Sequence, residues 1–335
     1  MLFSFLLMAA RLVNHEPTSL PRDYPVAQLL ESLGDKPSGH KPNLNLEGAS
    51  IERGRDIVER GMSKANGIRS KRQSKYFSCL ACHNKEREDP DLSNPDPTMR
   101  LEYVKDKGMP FLQGSPFFGI VNRAQFYNGD YEKKYGELVE PARENLREAI
   151  QLCALECSQG RPLKDFELES VLAYLWTLGF KVSDLDFNAA EFSEIERAFD
   201  SGQKREAAIK LIKSKYLMHS PATFIDPPKD RITGDNLIGN AKNGKDIYQL
   251  SCQYCHYQNE YSFLILDDSE LTFKHMANDA PTYKPHSLYQ VIRYGTYPKR
   301  GKRAYMPQYT KEKMTDQQMA DLRAYIDLKA QNKIL

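Results

Sequence analysis

The sequence of 335 residues predicts an all-α protein built from two similar helical domains, and three observations lead to this prediction. One five-residue pattern occurs twice, at residues 79–83 and 252–256. Each copy follows a segment with apolar residues at helical spacing, and another such segment comes later in each half. The two later segments also share an Ala-Tyr pair, at 173–174 and at 324–325. The chain therefore repeats one fold and does not join two unrelated modules.

The repeated pattern has two cysteines and a histidine at the spacing that attaches haem covalently. The copies read Cys79-Leu80-Ala81-Cys82-His83 and Cys252-Gln253-Tyr254-Cys255-His256. In such a motif the cysteines form thioethers with the haem vinyl groups, and the histidine ligates the iron. A zinc site would need four ligands and would have to draw on distant residues, and a redox dithiol needs no adjacent histidine. We predict two covalently bound haem c groups, one in each domain.

Four predicted helices define the two domains. They run from about Ser50 to Arg60, Phe166 to Leu178, Ala241 to Leu250 and Thr315 to Leu328. Gly54 in the first of these helices would let the second approach closely. Thr315 is a good N-cap for the last helix, and Asp316 suits its positive end.

The remaining segments set the predicted boundaries. We divide the chain into a signal and extended arm (1–47), a first domain (48–182), a helical connector (183–237) and a second domain (238–335). The connector carries two amphipathic stretches broken at Ser201-Gly202. In the first domain, the basic run from Met62 to Tyr76 predicts a solvated loop, or a collector of small anions. The Pro- and Asp-rich stretch from Asp89 to Gly108 predicts a surface excursion.

The charge and hydropathy of the sequence indicate where the protein is located and which classes of partner are not expected. Lys plus Arg number 47 and Asp plus Glu 45, so the near-neutral chain has no global attraction to nucleic acid or to a membrane. The apolar run from Met1 to Ala10 is too short for a transmembrane span, and we expect none. It is closer to a secretory signal, although no Lys or Arg precedes it. We therefore expect an exported protein.

Both halves resemble class I cytochromes c, in which crossed terminal helices clamp a haem. This resemblance implies haem attachment outside the cytoplasm, which agrees with export to the periplasm. It also implies an axial methionine shortly before the closing helix. Met306 has this position, 50 residues after His256 (306 − 256), and a thioether ligand suits an iron of relatively high potential. The weaker candidates for this ligand are Met314, Met319, His275 and His286.

The same offset in the first domain leads to cysteines. Met306 lies 18 residues before Ala324 (324 − 306), so the equivalent position before Ala173 is 155 (173 − 18). Cys153 and Cys157 flank this position, and no methionine is near it. We therefore favour a cysteine as the sixth ligand of the first haem.

Three alternatives to a cysteine ligand stay open at this point. Met109-Pro110 imitates a methionine motif, but it comes only 26 residues after His83 (109 − 83) and far before the closing helix. A disulfide between Cys153 and Cys157 is awkward, because two cysteines four residues apart on one helix fit disulfide geometry poorly. The last alternative is a simple buried thiol.

The first domain resembles that of dihaem thiosulfate dehydrogenases and, more distantly, the cysteine-ligated cytochrome subunit of the sulfur-oxidising complex. The matching pieces are Ser115–Arg123, Tyr127, Ile150–Cys153 and Gln159–Leu163, within a span from Gly48 to Leu178 that carries two insertions. The resemblance implies that Cys153 is the axial ligand of a substrate haem. The second domain matches only at the class I level.

The chain departs from that family around the ligand. Ala149 stands where the family commonly has an arginine, and Glu156-Cys157 stands where it has Arg-Ser. These changes remove positive charge from the place where a sulfur oxyanion would bind. Arg123, Arg161 or the Lys71-Arg72 loop would have to supply that charge, and we assign Arg123 to the site together with Cys153.

Two classes of function follow. In the enzyme interpretation, thiosulfate or a related sulfur compound is oxidised at the first haem, and electrons pass through the Met306 haem to a small cytochrome or an oxidase. In the carrier interpretation, the chain is a non-enzymatic dihaem electron-transfer protein or a respiratory-complex subunit. A dihaem peroxidase is weaker because it leaves Cys153 without a purpose. The basic loop of Lys299, Arg300, Lys302 and Arg303 is either a docking rim for an acidic redox partner or a solvated charge run.

Overall fold

The computed structural model describes residues 19–201, 203–258, 261–282, 287–296 and 305–333. Within these ranges the regular structure is helical, and the only β-type pairing is an isolated bridge between Pro25 and Lys181. The all-α prediction is confirmed. The apolar run from Met1 to Ala10, the basic loop around Arg300 and His286 lie outside the described residues.

The helices follow the chain in this order: α1 Val26–Ser32, α2 Ile51–Arg60, α3 Pro97–Asp106, α4 Glu132–Tyr135, α5 Leu146–Leu152, α6 Asp165–Thr177, α7 Ala189–Ser201, α8 Arg205–Lys213, α9 Ala241–Ile247, α10 Gln253–His256, α11 Glu270–Lys274, α12 Leu288–Tyr294 and α13 Asp316–Ala330. Short π-helical turns occupy Cys153–Cys157, Tyr248–Cys252 and His275–Asp279. All four helices predicted from periodicity are present, with small shifts at their ends.

In the first half of the chain (48–182), α2 crosses α6 with direct contact between the two backbones. A Cβ placed on Gly54 would lie 1.8 Å from the carbonyl oxygen of Ser170. Ser50 caps α2 by accepting a hydrogen bond from the backbone N–H of Arg53 at 3.2 Å. The predicted helix and the predicted role of Gly54 are therefore confirmed.

The second half (238–333) repeats this crossing with α9 and α13. A Cβ on Gly244 would lie 1.9 Å from the carbonyl oxygen of Asp321. Thr315 caps α13 and forms a capping box with Gln318, so both residues satisfy a backbone N–H at the helix start. The cap predicted at Thr315 is confirmed.

The connector and the N-terminal segment share a third core. The two predicted connector helices are present as α7 and α8, and buried residues of both pack with α1 and with Phe180 and Tyr216. The prediction of an extended arm is therefore wrong for Val26–Ser32. The sequence concealed this helix because only three of its residues, Val26, Leu29 and Leu30, are buried, and most of the core that they join lies some 150 or more residues away in the chain.

The stretch from Asp89 to Gly108 is not a surface excursion, and that prediction is also wrong. It forms α3, whose Leu101 and Val104 are buried in the core of the second half together with Phe111. Asp96 caps the helix, and Pro97 occupies its first position. Residues of the first half thus complete the core of the second half.

A buried cluster of charged residues holds α3 against the second half. Glu88 is fully buried and contacts Lys313 of the second half, and its carboxylate lies 3.4 Å from the Arg100 guanidinium. Burial alone would raise the pKa of Glu88, but the charges of Lys313 and Arg100 outweigh it and lower that pKa. Arg100 also donates to the carbonyl oxygens of Leu112 and Lys313. Removing one member of such a cluster typically costs about 3–5 kcal/mol.

We expect Gly54→Ala to destabilise the protein, because its methyl group would collide with the Ser170 carbonyl and force α2 and α6 apart. Overpacking of this kind costs about 1–3 kcal/mol. Gly39→Ala is the matched control, since a Cβ at Gly39 meets nothing within 4 Å. Denaturant titration followed by circular dichroism measures both free energies of unfolding. Equal stabilities of the two variants would contradict the close crossing.

Candidate functional site

The first Cys-x-x-Cys-His motif lies in the wall of a large cavity. Cys79, Cys82 and His83 line it, and Cys153 and Cys157 line it as well. Its volume is about 1470 Å³ including the open space at its mouth. Much of the remaining wall is apolar and includes Ile57, Val58, Phe117, Ile120, Leu146, Val171 and Leu175.

His83 is held so that one ring nitrogen stays free. Its Nδ1 lies 2.6 Å from the carbonyl oxygen of Ser115, and its ring stacks on Phe117 with centroids 4.8 Å apart. A carbonyl oxygen only accepts hydrogen bonds, so Nδ1 carries the proton and Nε2 keeps its lone pair. Burial lowers the pKa of His83 and favours the neutral ring. An imidazole fixed in this tautomer is prepared to ligate a metal through Nε2.

The second motif repeats this arrangement. Cys252, Cys255 and His256 line a second cavity, of about 1780 Å³ including its mouth, and Met306 lines it too. The Nδ1 atom of His256 lies 2.9 Å from the carbonyl oxygen of Leu264, so Nε2 again keeps its lone pair. Burial lowers the pKa of His256 as well. The donors of each cavity therefore fit a haem attached by two thioethers and one imidazole.

The segment that carries Met306 is fixed by a reciprocal pair of hydrogen bonds. The backbone N–H of Met306 donates to Thr296 Oγ1 at 2.7 Å, and the N–H of Thr296 donates to the Met306 carbonyl at 2.8 Å. Gly295 has a φ of +60°, and a Cβ there would lie 2.2 Å from the Met306 carbonyl oxygen. Only glycine allows this close approach.

The weaker candidates for the axial ligand at the second site lie in surroundings that differ from those of Met306. Met314 lines the same cavity but is 1% exposed within the core, and Met319 is wholly buried in that core. His275 also lines the cavity, yet its side chain is 56% exposed, and its Nδ1 lies 3.4 Å from Asp279. Met109 packs against the core of the second half and does not line the first cavity.

Cys153 and Cys157 lie on a π-helical turn at the end of α5. The backbone N–H of Ser158 donates to the Cys153 carbonyl at 2.9 Å, which closes the wider turn. Turns of this kind are frequent at functional sites. The Cys153 thiol donates a hydrogen bond to Cys157, which lowers the pKa of Cys157 to about 7 and raises that of Cys153. Burial opposes the first shift and adds to the second.

Two tyrosines add to the environment of Cys157. The Tyr135 hydroxyl lies 3.5 Å from Cys157 Sγ and 2.6 Å from the hydroxyl of Tyr305. Burial raises the pKa of both tyrosines well above the ordinary value, so both keep their protons. Sequence reasoning missed both tyrosines. The position of Tyr305 directly before Met306 was the available signal, whereas nothing in the sequence marked Tyr135.

The two cavities share a wall. Phe77, Cys82, Gln113, Tyr305 and Pro307 line both of them. The two motifs also touch, since the Tyr254 hydroxyl donates to the Leu80 carbonyl at 2.8 Å and the Cys255 thiol lies 3.6 Å from the Ala81 carbonyl. Groups attached to the two motifs would therefore be close neighbours.

Of the predicted cations, only Arg123 reaches the first cavity. It lines that cavity, and its guanidinium donates a hydrogen bond to Ser115 Oγ at 3.4 Å. Arg161 instead forms an ion pair with Glu167 at 2.6 Å and donates to the carbonyls of Lys71 and Arg72. Lys71 and Arg72 are exposed and absent from the lining residues, as expected for a solvated loop. The run from Met62 to Tyr76 is not solvated throughout, since Ser70 and Gln73 are buried and Gln73 lines the cavity.

No three His, Cys, Asp or Glu side chains among the described residues form a group able to hold a metal ion. None of the helices in the described part of the chain is long and apolar enough to cross a membrane.

Comparison with known proteins gives one match. Residues 239–326 match the family described as cytochrome C oxidase, cbb3-type, subunit III. No curated protein and no solved structure matched the chain. The matched segment contains the second motif, Met306, the whole of α9 and the part of α13 up to residue 326. It supports a c-type cytochrome domain in this part of the chain, and such a domain implies covalently bound haem c and electron transfer.

Proposed function

We propose that the chain is a dihaem c-type cytochrome that passes electrons from its first site to its second. Each Cys-x-x-Cys-His motif would hold one haem c, which supplies an iron that takes up and gives back one electron. The contact between the two motifs, through Tyr254 and Cys255, is the observation that supports this most strongly. Electrons moving between groups on these motifs would cross only one shared wall.

The sulfur ligands would give this transfer its direction. At the first site Cys153 as a thiolate is the proposed sixth ligand, with Cys157 as the alternative. An anionic sulfur stabilises the ferric iron and lowers its potential, whereas the neutral thioether of Met306 favours a higher potential. Electrons delivered at the first site would therefore run downhill to the Met306 site.

We propose thiosulfate, or a related small sulfur anion, as the source of these electrons. Arg123 would pair with the anion, and Cys153 would hold the sulfur that is oxidised. The support is the family resemblance of the first half, together with a cavity that contains both thiols and, among its described lining residues, the single cation Arg123. One observation opposes the binding of an anion here: Arg161, the other arginine expected to supply positive charge, already forms an ion pair with Glu167.

A second candidate is a non-enzymatic carrier or a subunit of a respiratory complex. The match of residues 239–326 to an oxidase subunit family favours it. In both cases the chain would be exported to the periplasm, where its Met306 site would deliver electrons to a small cytochrome or an oxidase. The basic residues proposed as a docking rim lie outside the described part of the structure.

We expect the purified protein to retain two haems under denaturing conditions, because both motifs provide thioether bonds. Intact-mass spectrometry measures this directly. The double variant Cys252→Ala/Cys255→Ala should keep one haem on the first motif, and Cys79→Ala/Cys82→Ala should keep one on the second. A native protein with one haem or none would contradict the dihaem architecture.

The ligand assignment predicts distinct spectroscopic effects at the two sites. Cys153→Ser should change the electron paramagnetic resonance signal and raise the potential of the first haem, because it removes an anionic donor. Met306→Ala should abolish the methionine-to-iron absorption band without altering the first signal. A response of the first haem to Cys157→Ser alone would assign the ligand to Cys157. No response to either cysteine change would remove the thiolate from the proposal.

Thiosulfate reduction separates the two candidate functions. In the enzyme, adding thiosulfate to the oxidised protein should reduce the haem absorption bands, and Arg123→Gln should slow this by at least tenfold because it removes the cation in the cavity. Arg161→Gln is the matched control and should change the rate much less. Dithionite measures the total reducible haem. Reduction by dithionite but not by thiosulfate would leave the carrier as the function.

A further inference from the structure

Two free thiols meet inside the first cavity, and a single axial ligand accounts for only one of them. Cys153 and Cys157 both line that cavity and lie on the same turn at the end of α5. The sequence made a disulfide between them awkward because it placed them four residues apart on one regular helix. The backbone over these residues is instead a π turn, so the spacing of a regular α-helix does not apply to them.

We propose that Cys153 and Cys157 form a reversible disulfide, which gives the first cavity a two-electron redox centre beside two one-electron haems. The proposed function supplies the electron acceptors, so this inference rests on it for the reaction partners. It does not rest on thiosulfate as the substrate.

The reaction balances with the groups already proposed. When the disulfide closes, the Cys153 thiolate leaves its proposed place on the iron, the Cys157 S–H bond breaks, one S–S bond forms and one proton leaves. The two sulfurs lose two electrons, one to each of the two ferric irons. When it opens, two ferrous irons return these electrons, Cys153 becomes a thiolate again and Cys157 takes up one proton. No further oxidant or reductant is needed.

The surroundings of Cys157 suit a thiol that reacts. The Tyr135 hydroxyl lies 3.5 Å from its sulfur, and Tyr305 supports Tyr135 through a hydrogen bond of 2.6 Å. A hydroxyl at this distance helps to hold the Cys157 sulfur in one position inside the cavity. Tyr305 also lines the second cavity, so the pair lies next to both proposed electron acceptors.

A disulfide here would remove Cys153 from the iron as a thiolate. The first site would then alternate between a ligated state with free thiols and an unligated state with a closed disulfide. This connects the number of electrons stored with the coordination of the first haem. Sulfur compounds are commonly oxidised in two-electron steps, and a dithiol would match such steps to one-electron haems.

The test is thiol trapping in the full-length holoprotein. Samples are oxidised with ferricyanide or reduced with dithiothreitol, freed of reagent, acid-quenched, and then alkylated under denaturing conditions for peptide mass spectrometry. The oxidised protein should give a 153–157 peptide without alkyl groups and lighter by two hydrogen atoms. The reduced protein should carry two alkyl groups on that peptide. Cys157→Ser is the control and should carry one alkyl group in both states.

Coulometric titration gives an independent readout. The wild-type protein should take up two electrons more than Cys157→Ser between full oxidation and full reduction. Two alkyl groups in the fully oxidised protein, or equal electron uptake by both proteins, would overturn the disulfide. Neither result bears on the haem count or on reduction by thiosulfate. Conversely, a disulfide in a protein that thiosulfate does not reduce would sustain this inference and reject the enzyme.

Discussion

Both cavities depend on a helix crossing at which one helix presents no side chain. Gly54 lets α2 meet the backbone of α6, and Gly244 lets α9 meet α13 in the same way. The chain that leaves each leading helix is thereby kept close to its closing helix, and the Cys-x-x-Cys-His motif lies on this segment. A crossing separated by side chains would move the motif away from the apolar residues of α6 or α13 that line the opposite wall, such as Val171 and Leu322.

The relation between the two halves rests on a different constraint, the insertion that carries α3. Leu101 and Val104 anchor this helix in the second core, and Glu88, with Arg100 and Lys313, adds a buried charge cluster across the junction. Such a cluster gives specificity more than net stability, because desolvation offsets much of its attraction. It fixes one orientation of the halves, and in that orientation the two motifs touch.

The parts of this molecule that local pattern governs could be predicted. Periodicity, caps and glycine position identified the crossing helices. The class I resemblance led to Met306, and transfer of its offset to the first half led to the cysteine pair. Met306 and the cysteines each line the cavity of the motif to which they were assigned. The sequence could not reveal α3 or its partners, because its apolar face is completed by residues far along the chain. It also could not reveal the buried arginines, Arg53, Arg100 and Arg293. Charged residues are normally exposed, and these donate to backbone carbonyls that only the folded chain brings together.

Because the two cavities share a wall, a movement of residues at one site would also move residues at the other. Tyr305 and Met306 are consecutive, and the two hydrogen bonds between Met306 and Thr296 restrict the movement of this segment. Any displacement of Met306 would therefore move the Tyr305 hydroxyl, which contacts Tyr135 and through it Cys157. Met306 at the second site and the thiols of the first are thus joined by one peptide bond and two hydroxyl groups. Two separate chains would lack this link, since each encounter would have to form it again by diffusion. Two repeats in one chain keep it permanently, and this is a physical reason for joining them.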